Sequence, residues 1–354
     1  MSRRQVAILL SWVLLLFAGC GQTKMGVNDS EGSALPPIRV VETDEGFGFF
    51  EGEEKVLFYQ RMPKCLDGKY SRCHYIHPLY GLDGEILTED FPSDHLHHRG
   101  IFWAWHQVLV GDKRVGDGWS LKDIAWDVYD AKTLSLNNGS SALKVKVFWK
   151  SPLWTDAEGR QKPFVKETTI IRVEPASAGT RKIDFQISLL ALEDGVRIGG
   201  AANEKAYGGF SARIRLPKDI SFTGQGGDVT PAGTPIKAGP WLDFSGHFGE
   251  QGQVSGLAIL CHRSLPGYPQ QWILRRTGSM QNAVYPGQEP VSLSREKPLV
   301  LRYRLIVHRG DAQQINLVQL QAQYNSESAP PLSAVACPRI SRREAGRRAD
   351  SKGG

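Results

Sequence analysis

Between Ser93 and Gln107 the chain reads SDHLHHRGIFWAWHQ. Four of its nine histidines, His95, His97, His98 and His106, fall in these fifteen positions, together with Asp94, Arg99, Trp103 and Trp105. Such a set suits three roles. A His-x-His pair on a strand presents two imidazoles to one divalent metal, so His95 and His97 are candidate ligands, with Glu204 or His262 as a third. Imidazoles titrate near neutrality, so His97, His98 and His106 are candidate acid–base groups, with Asp94 orienting one ring and Arg99 clamping an anion or a hydroxyl. Trp103, Trp105 and Trp119 would then be stacking platforms for a sugar. Glu204 is a candidate partner base or one half of a surface Glu–Lys pair. Tyr207 is a candidate substrate contact or a core residue. The third role is a hydrogen-bonded polar cluster that braces a large fold and does no chemistry.

The elements that must position these groups read as strands. ALKVKVFWK, KETTIIRVEP, RKIDFQISLLAL, GFSARIRLP and LVLRYRLIVHRG alternate or run apolar and are rich in β-branched and aromatic residues. Turn-rich pieces such as SLNNGSS, DAEGR and EPASAGT separate them. This is the pattern of an all-β protein, a large antiparallel sandwich over residues 36–326 with few helices. One helix is expected late, capped by Asp311, with Ile315, Val318 and Ala322 on one face. PLYGLDGE and FPSD read as turns, and Trp241-Leu242-Asp243 as a turn capped by Asp243. HLHHRGIFWAWH reads as extended chain broken at Gly100. On a strand His95 and His97 share a face opposite His98. Beyond Gly100, Phe102, Ala104 and His106 share a face opposite Trp103 and Trp105.

The two ends differ from the body. Arg3 and Arg4 precede a thirteen-residue apolar run, Val6 to Ala18, shorter than the roughly 20 residues that span a bilayer. It has the length of a signal-peptide core. Phe17-Ala18-Gly19-Cys20 resembles a bacterial lipoprotein cleavage box, which would make residues 1–19 the signal and Cys20 the lipidated first residue. Residues 20–35 form a polar tether. No aspartate follows Cys20, so outer-membrane sorting is expected. Residues 327–354 are polar and basic and read as a disordered tail. The formal charge is +6, but Arg3 and Arg4 carry two of those charges and Arg339–Gly354 a net four. The neutral remainder argues against nucleic acid as a partner. Cys65 and Cys73 are either a local disulfide or two free thiols, and Cys261 in GLAILC reads as a buried small hydrophobe. No GxGxxG, Walker, GxSxG or HExxH motif occurs, so no nucleotide cofactor is expected.

HPLYGLDGEILTEDFPSDHLHHRGIFWAWHQ, AYGGFSARI, GLAILCHRSLPGYPQQWILRRTG and LRYRLIVHRGD together resemble a family of exported bacterial proteins known as PmoA-like, over most of residues 40–310. Its hallmark is Asp-His-x-His-His-Arg-Gly, matched by Asp94, His95, His97, His98, Arg99 and Gly100. Leu96 stands where the family has proline, and Cys261-His262-Arg263 where it has a block close to Asp-His-Pro. The family label alludes to a methane monooxygenase subunit with several membrane helices. One cleaved apolar run does not fit that activity. The resemblance implies a fold similar to galactose-mutarotase supersandwiches, in which histidines and a carboxylate line a sugar cleft. The expectation is a lipid-anchored, carbohydrate-active protein, leaning to an enzyme. A glycan-binding lipoprotein without catalysis and a metal-dependent enzyme are the alternatives.

Cys20→Ser is expected to move the protein from the membrane to the soluble envelope fraction. A wild type that is already soluble and unlipidated would overturn the lipoprotein reading.

Overall fold

The computed structural model of the chain describes residues 36–249 and 253–328. Cys20, the signal, the tether, Cys337 and the tail beyond Ser328 lie outside the described residues. Of the alternating segments, four become the long strands Ser141–Lys150, Val165–Val173, Thr180–Ala191 and Leu299–Arg309. They form the centre of a nine-stranded antiparallel sheet, flanked by Ala125–Ser135 on one side and by Ser255–Cys261, Trp241–Gly246, Ser221–Gly224 and Gly227–Asp228 on the other. The period of two is plain along Ser141–Lys150, where Leu143, Val145, Val147 and Trp149 are buried and Lys144, Lys146 and Lys150 are not.

A second sheet of eight strands runs Ile38–Glu42, Gly46–Glu51, Glu54–Gln60, Tyr75–Leu79, Ile101–Trp105, Gly208–Ala212, Gln281–Val284 and Trp272–Ile273. The two sheets share one apolar core. Phe210 stacks on Tyr303 with ring centroids 4.5 Å apart, and Trp105 meets Trp149 at 5.5 Å. The protein is therefore an all-β sandwich. A four-stranded sheet, Val291–Ser292, Val196–Gly199, Gln107–Val110 and Lys113–Gly116, extends it beside the second sheet.

A carboxylate sits at the centre of this core. Glu167 is fully buried and accepts four hydrogen bonds from both sheets. Trp149 Nε1 (2.8 Å) and Thr169 Oγ1 (2.6 Å) reach it from its own sheet. Trp103 Nε1 (2.8 Å) and His74 Nε2 (2.6 Å) reach it from the other. His74 Nδ1 is in turn bonded to the Tyr59 hydroxyl at 2.6 Å. Burial alone would raise the Glu167 pKa, but His74, Thr169 and Trp149 hold it below the usual carboxylate range. A second buried pair, His308 Nε2 to Asp243 Oδ1 at 2.7 Å, reaches across the intervening strand Ser255–Cys261 at Gly256.

Several local expectations are corrected. The helix is Leu317–Ser326, capped by Asn316, whose side chain accepts from Gln319 N. Asp311 instead closes the preceding turn through Gln313 N and Gln314 N. Leu317, Gln321 and Tyr324 are the buried face, and Val318 is exposed. Asn316 wins because its short side chain reaches the free amide of Gln319, the third residue of the helix, where the chain can already pack Leu317 on the sheet. Asp243 lies within the strand Trp241–Gly246, not in a turn. Cys65 and Cys73 are free thiols, one exposed and one buried. Cys261 is buried as expected. The folded region runs past residue 326, since the Glu327 carboxylate pairs with the buried Arg304 at 2.7 Å.

Glu167→Ala leaves four donors unpaired in the core. It is expected to lower the unfolding free energy by roughly 3–5 kcal/mol, read by urea denaturation. A loss below about 1 kcal/mol would show that the sheets do not depend on this carboxylate.

Candidate functional site

The histidine block lies on the outer side of the eight-stranded sheet. Strand Ile101–Trp105 alternates as its sequence suggests. Trp103 and Trp105 point into the sandwich core, while Phe102 and Ala104 pack in a separate cluster with Tyr75, Trp119 and Met280. His106 occupies the single residue between this strand and Gln107–Val110. The chain thus passes from one sheet to the next at His106, which turns its ring to the cleft side of Phe102 and Ala104.

Residues 93–98 are not a strand. They form successive turns, with His95 N bonded to Pro92 O at 3.0 Å and His98 N to His95 O at 2.9 Å. Gly100 carries the chain from these turns into the strand. Its φ is +38°, and a Cβ there would lie 1.9 Å from Ile76 O. The turns gather three imidazoles that a strand would have split between two faces. His95 and His98 stack with centroids 4.6 Å apart and planes within 4°, and His97 meets His98 edge-on at 4.4 Å.

All four histidines line one cleft of about 620 Å3. Trp119 and Tyr207 form its aromatic wall, and Arg114, Lys205 and Arg275 bring positive charge to it. Trp119 lies between two of the imidazoles, parallel to His106 at 5.4 Å and perpendicular to His98 at 6.2 Å. No aspartate or glutamate is among the described residues of the lining. The carboxylates stand behind the imidazoles instead. Asp117 Oδ2 bonds His106 Nδ1 at 3.0 Å, and its Oδ1 accepts from the amides of Trp119 and Ser120. Burial opposes ionisation of Asp117, but the bonds from His106 and Ser120 keep its pKa low. Its charge therefore holds the proton of His106 on Nδ1 and leaves Nε2 as an acceptor toward the cleft.

Asp94 bonds one imidazole, His95, at 3.1 Å, and none of the acid–base candidates His97, His98 and His106. Its stronger partner is Arg213, which the sequence reading missed. Arg213 is buried and donates to Asp94 Oδ1 (2.6 Å), Glu89 Oε2 (2.7 Å) and Ser279 O (2.7 Å). Burial opposes the Asp94 charge, but the bonds from Arg213 and His95 bring its pKa down to about 2. Arg213 Nη1 also faces His98 Nδ1 at 3.3 Å. A guanidinium only donates, so His98 carries its proton on Nε2. Burial, then His97, His95 and Arg213, depress the His98 pKa to about 2. Burial, then His95 and His106, bring His97 to about 4. Both rings are neutral at physiological pH.

Other expected residues are placed elsewhere. Arg99 is fully buried away from the cleft, bonded to Asp90 (2.8 Å) and to the carbonyls of Lys64 and Tyr70, with Phe91 against its guanidinium at 3.2 Å. It braces the turns and clamps no ligand. Trp103 and Trp105 are core residues whose indoles bond Glu167 and Tyr285 O, so neither is a stacking platform. Glu204 lines a different cleft with Pro269 and Gln288, although its neighbours Asn203 and Lys205 line this one. His262 packs on Tyr324 and bonds Arg302 and Ser264. For the metal reading, His95 and His97 centroids are 5.8 Å apart. No group of three or more suitable ligands converges among the described residues. Asp117 had a legible signal, a GDG turn eleven residues after His106. Arg213 and Arg275 had none, because the turns that bring them here are distant in sequence.

No helix among the described residues is long and apolar enough to cross a membrane. No curated protein matches the chain. A family model described as a family of unknown function, DUF6807, matches residues 50–321, a span that contains every residue of the cleft and most of both sheets, and the chain belongs to that family.

Proposed function

We propose that the protein is a carbohydrate-active enzyme of the cell envelope, working by proton transfer from histidines in this cleft. The observation that carries the reading is the pairing of two differently prepared imidazoles beside one indole. His106, backed by Asp117 at Nδ1, presents the lone pair of Nε2 to the cleft. His98, backed by Arg213, stays neutral and offers an N–H to an oxygen of the substrate. Trp119 supplies the flat apolar face on which a sugar ring stacks, and the half-buried Tyr207 a phenol held protonated by burial. Hydrolysis by two carboxylates flanking a glycosidic bond is not favoured, since the lining holds none. Proton abstraction and return at a sugar carbon or hydroxyl suits the set better. The Asp94–Gly100 block, similar to the PmoA-like hallmark, and the lipoprotein box at Cys20 support the exported setting of this proposal.

His106→Ala is expected to reduce glycan turnover by roughly 10²–10⁴-fold while the melting temperature shifts little. Arg99→Ala is expected to behave in the opposite way, costing on the order of 2 kcal/mol or more of stability. A glycan-library screen of the wild type identifies the substrate, and both variants are then measured for turnover and unfolding. Full turnover by His106→Ala would sink the reading. Binding that persists without turnover in the wild type would leave a glycan-binding protein.

A pH effect follows from His98. Its folded pKa is about 2, against about 6.5 in the unfolded chain. Below about 6.5 the unfolded state binds the extra proton, so stability falls as pH drops from about 6.5 toward 2. His98→Gln removes this contribution. Its unfolding free energy should decline less steeply than that of the wild type between pH 6.5 and about 4, measured in urea. Equal slopes would show that His98 is not held neutral.

A further inference from the structure

We infer that the ligand of this cleft is an anionic glycan, one bearing a carboxylate or a sulfate, and that Arg275 is the residue that anchors the anion. The inference rests on the sugar-directed reading above and adds a substrate class to it. Its basis is a charge imbalance. Arg114, Lys205 and Arg275 line the cleft, and no carboxylate does. Arg114 is exposed and already paired with Asp117 at 3.0 Å, and Lys205 is exposed.

Arg275 differs from both. Its Nη2 donates to Gly233 O at 2.9 Å, and its Nη1 to Leu274 O at 3.1 Å and to Ala232 O. These carbonyls fix the guanidinium without neutralising it. Its carbon lies 5.4 Å from the centre of the Tyr207 ring, on the aromatic wall. Buried Arg99, Arg213 and Arg304 have carboxylate partners, whereas buried Arg72 and Arg302 are held by carbonyls and an imidazole away from the cleft. Arg275 is held by carbonyls and lines the cleft. Arg275 is half-buried, held in place and without an acidic partner among the described residues. A partly desolvated, pre-positioned fork with no counterion is what bidentate recognition of a carboxylate or sulfate requires. An anion held by Arg275 sits beside Tyr207, next to the Trp119 face.

The test is calorimetric titration of the purified protein with a galacturonic acid trimer, galactose 6-sulfate, a galactose trimer and inorganic sulfate. The proposal expects the acid trimer or the sulfated sugar to bind at least tenfold tighter than the galactose trimer, and the difference between them separates carboxylate from sulfate. Binding should weaken as salt rises. Arg275→Gln should weaken the anionic ligand at least tenfold more than it weakens the galactose trimer. Arg275→Lys, which keeps the charge and loses the fork, should recover part of the loss, and both variants are checked for wild-type melting. A galactose trimer bound as tightly as the acid trimer, with Arg275→Gln indifferent, overturns the anionic class and leaves the sugar reading standing. Inorganic sulfate bound as tightly as the sulfated sugar, or no sugar bound at all, overturns both.

Discussion

A charge buried between two sheets sets the terms for the rest of the molecule. The Glu167 carboxylate accepts from Trp149 and Thr169 on one sheet and from Trp103 and His74 on the other. An ion at that depth is tolerable only when each lone pair finds a donor. Both sheets are thus held in one relative register, since sliding either would strand a donor. Trp103 is the member that matters for the site. Its indole N–H fixes which face of strand Ile101–Trp105 looks inward, and the opposite face then carries Phe102 and Ala104 toward Trp119 and the cleft.

The cleft is built in the same style at its edge. Each imidazole with a defined role has a charged residue behind it, Asp117 for His106 and Arg213 for His98. The two backings have opposite sign, so two rings of the same residue type acquire opposite hydrogen-bonding characters within one cleft. Asp94 ties this layer together, because it accepts from both Arg213 and His95. The stacked pair His95 and His98 follows from that geometry, whereas the neutrality of His98 comes first from its burial and is opposed by Asp94.

Much of this was legible in the sequence wherever the signal was local. Alternation gave the long central strands, and it separated Phe102, Ala104 and His106 from Trp103 and Trp105 correctly. The clustering of histidines marked the cleft, and Trp119 and Tyr207 also line it. What failed depended on distant partners. Arg99 looked like a clamp because it adjoins the histidines, yet the turns through Pro92 and His95 aim it at Asp90. The arginine that lines the cleft is Arg275, whose approach depends on the strand pairing of Gln281–Val284 with Gly208–Ala212. Glu204 sits between two cleft residues but turns to the other side of its loop. The sequence suggests extended chain at the histidine turns because Leu96 hides the turn that a proline would advertise.

The strand Ile101–Trp105 has a consequence for how this protein can diverge. Its residues alternate between two environments with nothing in common, a dry interior holding one carboxylate and a wet cleft holding four imidazoles. Side-chain direction has period two, so inserting or deleting one residue between Gly100 and His106 would exchange the contents of the two compartments wholesale. Indoles would enter the cleft, and a histidine would approach the buried acid. Length variation is therefore closed to this stretch, and descendants of this chain can change the cleft only by replacing residues in place or by remodelling the loops around Asn203 and Thr277 on its far wall.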